Sequence, residues 1–340
     1  MFSGLFKLTR CVKQGGILSG ALFNFYIDDL IKECAEAGLG AMFVEIVMCI
    51  LGFCDDISLL SPIIEDLQKL LNICGNYGNN WGIEFNLPKC QFTVFGSNRF
   101  NNTILLLNNL PLAYTQIFKY LGIDFTYDLN MSNFFIEKFI KVKNSYFSLN
   151  AFEFKPGGIS PFTQAYVYKT FCISRILYGL EIMNLNKKTI NTLNLNQNTI
   201  VRYMTGLSKH SHVSIVLKAL KLFSFQELYH YMKFIFVKNL KNNNICSKIF
   251  EYLQTSSYRN RPGTKSFIGA FKNACIFINQ NESYVIENIT SIISTFKTNC
   301  REMEMNDENE LIVNCLQNNQ ELIMINQLNF LTYAGPAYKI

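Results

Sequence analysis

Residues 50–60 read Ile-Leu-Gly-Phe-Cys-Asp-Asp-Ile-Ser-Leu-Leu and place two adjacent carboxylates, Asp55 and Asp56, between two apolar runs. The runs cover residues 46–54 and 57–60, and their composition is typical of β-strands. Two such strands joined at an Asp-Asp turn predict a hairpin that presents carboxylates at its tip. Oxygen ligands fixed on strands suit Mg²⁺ ions that clamp phosphates during phosphoryl transfer. The alternative is an ordinary hairpin turn, because Asp is a common turn former.

The upstream sequence contains a glycine turn followed by a helix. Gln14 and Gly15 precede a run of apolar residues that repeats with helical period over residues 22–31. A helix entered through glycine can bring backbone and amide groups close to a nucleotide or a template base. A second Asp pair, Asp28 and Asp29, lies within the periodic run, so we expect it on the solvated face of this helix and not at a metal site.

The downstream sequence predicts further short strands. Residues 81–96 indicate a strand, a turn that carries Lys89, and a second strand. Residues 118–125 alternate in the manner of a strand around Gly122.

In this order and at these spacings, four motifs resemble those of the reverse transcriptases of non-LTR (LINE-like) retrotransposons. The motifs are Gln14-Gly15-Gly16 (motif B), Phe53-Cys54-Asp55-Asp56 (motif C), Trp81-Gly82 with Phe85-Asn86 and Lys89 (motif D), and Tyr120-Leu121-Gly122 (motif E). The resemblance continues through Leu177-Tyr178-Gly179, Gln197, Arg202 and Gly206-Leu207. It covers residues 11–240, and we recognise no family feature beyond residue 245.

The resemblance implies an RNA-directed DNA polymerase, which adds deoxynucleotides to a DNA primer on an RNA template. Asp55 and Asp56 are the implied catalytic residues and Mg²⁺ ligands. Lys89 is implied as the proton donor to the leaving pyrophosphate. A surface lysine in a turn that contains proline is the alternative for Lys89.

The same resemblance implies residues that contact the substrates. Gln14 and Gly15 are expected to contact the incoming nucleotide or the templating base. Phe53 is expected to pack beneath the primer terminus, and a core phenylalanine is the alternative.

One expected component is missing from the sequence. Two-metal phosphoryl transfer requires carboxylates from a second strand, which in this family is motif A, upstream of motif B. Residues 1–27 contain no Asp or Glu. We therefore expect a truncated polymerase that binds Mg²⁺ weakly and is inactive alone. The alternative is a non-catalytic nucleic-acid-binding remnant of a retroelement.

The predicted fold class is α+β, with a partial polymerase palm, an antiparallel sheet with helices on one face, followed by a mostly helical thumb-like region. We place the palm at residues 1–126, the thumb-like region at 127–255, and a linker and helical tail at 256–340. Charge divides the chain similarly: residues 127–301 hold 22 Lys and Arg against 8 Asp and Glu. This basic segment suits contact with nucleic-acid phosphates, and the lysines of residues 229–241 are candidates.

The composition of the chain indicates its cellular compartment. Eleven cysteines without a Cys-x-x-Cys pair indicate reduced thiols, and no stretch resembles a signal peptide or a transmembrane segment. The sequence thus predicts an intracellular protein, nuclear or cytoplasmic, with no membrane partner.

Overall fold

A computed structural model describes residues 16–96, 103–255 and 266–301. The chain divides into two compact units. The first comprises the residues up to 120 together with 126–128, and the second comprises residues 121–125 and those from 129 onward. Helices are combined with small β-sheets, which confirms the α+β class. The predicted domain boundaries, and the palm and thumb assignments, stay predictions.

The first unit contains two long helices and several short strands. The helices are α1 (Ser19–Glu36) and α2 (Ile64–Trp81). The strands are β1 (Met42–Phe43), β2 (Ile46–Val47), β3 (Ile50–Phe53), β4 (Asp56–Leu59), β5 (Gln91–Phe92), β6 (Leu106–Leu107), β7 (Leu110–Pro111), β8 (Ala113–Tyr114) and β9 (Ile117–Tyr120).

The predicted hairpin is formed by β3 and β4, which pair antiparallel from Ile50 opposite Leu59 to Phe53 opposite Asp56. The predicted first strand, residues 46–54, is divided because β2 pairs with β1 in a separate hairpin. The Ala41 backbone N–H donates a hydrogen bond of 2.8 Å to the Leu60 carbonyl and so joins the two hairpins at their bases.

Helices α1 and α2 pack against each other over an apolar core. Their buried faces follow helical spacing and include Leu30, Cys34, Leu70 and Cys74. The Tyr77 hydroxyl donates a hydrogen bond of 2.7 Å to the Tyr26 carbonyl and so fixes the two helices at one end.

The strand predicted from residue 81 onward is wrong. Helix α2 continues through Trp81 because its buried positions, Leu70, Cys74, Tyr77 and Gly78, extend the 3.6-residue period to that point. Gly82 ends the helix in the left-handed region at φ 69°.

The second unit is helical apart from the short strand at its start. Its elements are β10 (Ile123–Thr126, of which the last residue counts with the first unit), α3 (Ser132–Phe147), α4 (Pro161–Val167), a π-helical turn (Tyr168–Cys172), α5 (Ser174–Leu177), α6 (Lys187–Thr205), α7 (Ser214–Ala219), α8 (Phe225–Lys241), α9 (Asn244–Thr255), α10 (Phe267–Phe277), α11 (Glu282–Glu287) and α12 (Ile289–Arg301). Among the described residues, no helix is both long and apolar enough to cross a membrane.

Three residues of the family resemblance in the second unit, Tyr178, Gln197 and Arg202, donate side-chain hydrogen bonds to backbone carbonyls. The Tyr178 hydroxyl donates to the Leu121 carbonyl at 2.6 Å, which ties the Leu-Tyr-Gly segment to the motif E turn. The buried Gln197 amide donates to the Phe223 carbonyl, and the Arg202 side chain donates to the Ser211 carbonyl. Gln197 and Arg202 thus hold two neighbouring loops onto helix α6.

The closest packing around the hairpin occurs at Gly40, whose φ is +81°. A Cβ atom at this position would lie 2.7 Å from both the Cys49 Cβ and the Leu60 carbonyl oxygen. We predict that Gly40→Ala lowers the free energy of unfolding by more than about 2 kcal/mol, because a left-handed φ costs about 1–2 kcal/mol for an L-residue and the contact adds to it.

The matched control is Gly38→Ala. Gly38 has φ +64°, but a Cβ atom there would have no heavy atom of the described chain within 4 Å beyond its immediate neighbours. Urea denaturation monitored by circular dichroism should show a clearly smaller loss for Gly38→Ala. Equal losses would mean that the hairpin base is not tightly packed at Gly40.

Candidate active site

The hairpin has a two-residue turn that lies one residue earlier than the predicted Asp55-Asp56 turn. Phe53 pairs with Asp56, so Cys54 and Asp55 are the two turn residues. Cys54 has φ 51°, a left-handed conformation that costs energy in a residue other than glycine. The turn places Asp55 at the tip of the hairpin and Asp56 at the first position of the returning strand.

Helix α1 supports the hairpin from below. Gly52 lies against α1, and a Cβ atom there would make ordinary van der Waals contact with Ile31 at 3.4 Å and Ile27 at 3.7 Å. Ile27 is buried, whereas Phe53, Cys54 and the Asp pair are exposed. The base of the hairpin is therefore packed, and its tip faces solvent.

The two carboxylates of the tip lack a counter-charge in the part of the chain that the structure describes. Within the described ranges, neither the Asp55 nor the Asp56 side chain forms an ion pair or a hydrogen bond. The second Asp pair differs, because Lys32 lies 2.5 Å from Asp28 and 3.6 Å from Asp29. These aspartates lie on helix α1 as expected, and the ion pairs raise the pKa of Lys32.

The other predicted site residues have different environments. Lys89 ends a 3₁₀ turn (Leu87–Lys89) and is exposed, as the turn prediction requires. Phe53 is 58% exposed, which excludes the alternative of a core phenylalanine. Gln14 and Gly15 lie outside the described residues.

The donor set at the tip fits one kind of magnesium site. Two exposed carboxylates match the chemistry by which Mg²⁺ is held between protein oxygens, water and substrate phosphates, not in a cage of protein ligands. No group of three or more His, Cys, Asp or Glu side chains arranged for a metal ion occurs in the part of the chain that the structure describes.

One of the predicted phosphate contacts is wrong. Lys233 in helix α8 is completely buried, and its Nζ donates to the carbonyl oxygens of Leu180, Glu181 and Met183. Burial lowers its pKa to about 7. The alternation of rings and lysines in this helix gives no sign of which lysine faces the core. Lys233 fixes a loop, and it cannot contact phosphate.

Comparison with known proteins confirms the predicted resemblance. Residues 3–125 match the family described as reverse transcriptase (RNA-dependent DNA polymerase). This segment contains all four motifs, from the glycine turn to the Tyr-Leu-Gly sequence, and motif C among them forms the hairpin.

Curated relatives extend the similarity beyond that segment. The RNA-directed DNA polymerase from the mobile element jockey of Drosophila funebris is 21% identical over 202 residues, which is 57% of this chain and 22% of the relative. The Pol polyprotein of the type-1 retrotransposable element R2 of Popillia japonica is 31% identical over 179 residues, 50% of this chain and 28% of the relative. The type-2 element R2DM of Drosophila melanogaster is 31% identical over 131 residues, 36% of this chain and 12% of the relative. The chain thus matches less than a third of the length of each of these proteins, all of them from non-LTR retrotransposons.

We predict that Asp55→Asn changes the free energy of unfolding by less than about 0.5 kcal/mol, because an exposed carboxylate without a partner adds little to stability. The control is Asp66→Asn. Asp66 lies in the first turn of α2 and pairs with Lys69 at 3.3 Å, so its loss should cost about 0.5–1 kcal/mol. A larger loss for Asp55→Asn than for Asp66→Asn in urea denaturation would assign Asp55 a structural role in the turn.

Proposed function

We propose that the chain is part of an RNA-directed DNA polymerase of a retrotransposon, in which the β3–β4 hairpin is the catalytic element. The observation that supports this proposal most directly is the pair of exposed, uncompensated carboxylates on a hairpin whose base is packed. An ordinary surface turn does not require two adjacent carboxylates on a hairpin that packs against a helix. The sequence similarity of residues 3–125 supports the same assignment.

In this proposal Asp55 and Asp56 would hold Mg²⁺ together with the phosphates of a deoxynucleotide. When bound, the ion would supply activation of the primer hydroxyl and charge stabilisation at the leaving pyrophosphate. The hairpin fixes the two carboxylates, because the ladder between β3 and β4 continues to the turn. The exposed ring of Phe53 provides an apolar surface on which the primer terminus can rest, and Lys89 supplies a proton to the pyrophosphate.

Gln14 and Gly15 complete the proposed site by contacting the nucleotide or the template base, as the family resemblance implies. We also propose an intracellular setting, nuclear or cytoplasmic, without a membrane partner. The eight described cysteines are free thiols, which accords with a reducing compartment.

A further Asp-bearing strand is required for two-metal chemistry in this proposal. We therefore predict that the 340 residues alone do not extend a DNA primer on an RNA template. Extension should appear when the chain is joined to a polymerase segment that supplies such a strand. In that complex, Asp55→Ala should reduce Mg²⁺-dependent extension by more than about a hundredfold, since even partners of metal ligands contribute 10–100-fold.

Asp28→Ala is the control for that experiment, because Asp28 is a carboxylate on the neighbouring helix that is already paired with Lys32. It should leave the extension rate unchanged. The assignment of the metal site to the hairpin would be contradicted if the 340 residues alone extended the primer and Asp28→Ala abolished that extension.

The role of Lys89 can be tested in the same complex. We predict that Lys89→Ala and Lys89→Arg both lower kcat about a hundredfold with little change in KM, because general acid catalysis contributes about 10²–10⁴ and arginine is too weak an acid to donate a proton. Lys69→Ala, which removes an exposed lysine of helix α2, is the control. Full activity of Lys89→Arg would instead indicate a purely electrostatic contact with phosphate.

The second candidate is a non-catalytic nucleic-acid-binding protein, favoured by the excess of 22 basic over 8 acidic residues in residues 127–301. It retains salt-sensitive binding of RNA or DNA whatever residue occupies position 55. Binding without extension in the complex with the Asp-bearing strand would favour this candidate over the polymerase.

A further inference from the structure

An unusual surface lies on the helical segment of residues 161–178 in the second unit. Its exposed positions carry rings, hydroxyl groups and cations, and no aliphatic side chain is among them. We name six of these residues the ring–cation face: Phe162, Tyr166, Lys169, Phe171, Arg175 and Tyr178.

The rings of this face are exposed to a degree that is uncommon for aromatic side chains. Tyr166 is 66% exposed and Phe171 is 68% exposed. Within the described ranges, neither ring packs against another aromatic ring, and the Tyr166 hydroxyl has no hydrogen-bond partner. Both rings can therefore receive a planar ligand without any rearrangement of the core.

A π-helical turn (Tyr168–Cys172) helps to set the positions of these rings. A π turn holds one more residue than an α turn and is often found at functional sites. At the end of the turn, Cys172 and the following Ile173 are buried, at 2% and 6% exposure, while Phe171 faces solvent. The wide turn thus keeps the buried stripe continuous and leaves an aromatic residue on the outer face.

The charged residues of the face itself, Lys169 and Arg175, are both cations. No Asp or Glu occurs in the sequence between Glu153 and Glu181. Arg175 is exposed and has no ion pair among the described residues. Lys169 donates to the carbonyl of Lys221 at 3.4 Å, which brings the end of helix α7, with its own lysine, next to the face.

From this arrangement we propose that the ring–cation face binds single-stranded nucleic acid, with unpaired bases stacked on Tyr166 and Phe171 and phosphates at Lys169 and Arg175. Bases stack on exposed aromatic rings irrespective of sequence, and cations beside the rings neutralise the backbone. Bases within a duplex have no accessible faces, so the rings select an unpaired strand. A membrane or protein surface would be expected to contact aliphatic groups as well, and this face exposes none. This inference rests on the proposed function, since it names a surface by which such a polymerase would bind nucleic acid.

The test is equilibrium binding of the full chain to a fluorescent 20-nucleotide single-stranded RNA, measured by anisotropy at fixed salt in EDTA. EDTA removes any metal contribution from the hairpin, so a failure here is distinguishable from a failure of primer extension. Tyr166→Ala and Phe171→Leu should each weaken binding about tenfold, because each removes one stacking ring. Phe171→Trp should bind at least as tightly as the unaltered chain.

Tyr284→Ala is the matched control, since Tyr284 is an exposed tyrosine (47%) on helix α11. It should leave the affinity unchanged, and a blunt duplex of the same sequence should compete poorly. Stacking would be overturned if neither Tyr166→Ala nor Phe171→Leu weakened RNA binding. It would also be overturned if Phe171→Leu bound with full affinity and only Arg175→Gln weakened binding. Ring-dependent binding to phosphatidylserine vesicles without ring-dependent binding to RNA would overturn the choice of ligand.

Discussion

The packing of the β3–β4 hairpin onto helix α1 is the constraint on which the first unit depends. Gly52 lies within van der Waals reach of Ile27 and Ile31 on that helix. At the base of the hairpin, Gly40 permits the chain to pass between Cys49 and Leu60. The base is thus packed, whereas the tip, with Phe53 and the two carboxylates, is exposed. A carboxylate that holds an ion shared with a substrate needs a rigid base and an exposed side chain.

The surroundings of the two Asp pairs explain why similar dipeptides have different assignments. Asp28 and Asp29 lie one turn from Lys32 on a helix, so their charge is largely compensated within the helix. Asp55 and Asp56 have no such neighbour among the described residues. Because both side chains are exposed to water, the uncompensated pair costs the turn little and stays available to a cation. It is consistent with a turn that awaits a cation and phosphates.

The sequence predicted those features that depend on local patterns. The hairpin follows from apolar runs on either side of a turn-forming pair, and the position of Asp28 and Asp29 on a helix follows from the period of Tyr26, Ile27, Leu30 and Ile31. The strand expected after Trp81 failed because the apolar spacing near the end of α2 suits both helix and strand. Lys233 was misjudged for a different reason. Its burial depends on carbonyl groups of a loop about 50 residues away, and no local pattern carries that information.

The ring–cation face was likewise inaccessible from the sequence. Aromatic residues at helical spacing usually indicate a core, and here the buried stripe of Tyr168, Cys172 and Ile176 alternates with an outer row of rings. Only the exposure of Tyr166 and Phe171 separates the two rows. The two proposals thus assign different contacts to the two units, carboxylates for an ion on the first and rings with cations for nucleic acid on the second.

Paramagnetic broadening by Mn²⁺ is the direct test of whether the hairpin carboxylates bind the metal ion. In the presence of a deoxynucleotide, substoichiometric Mn²⁺ should broaden the backbone amide resonances of residues 53–57 first, and Asp55→Ala should abolish the effect. Broadening that centres on Asp28 and Asp29, or that persists in Asp55→Ala, would contradict the assignment.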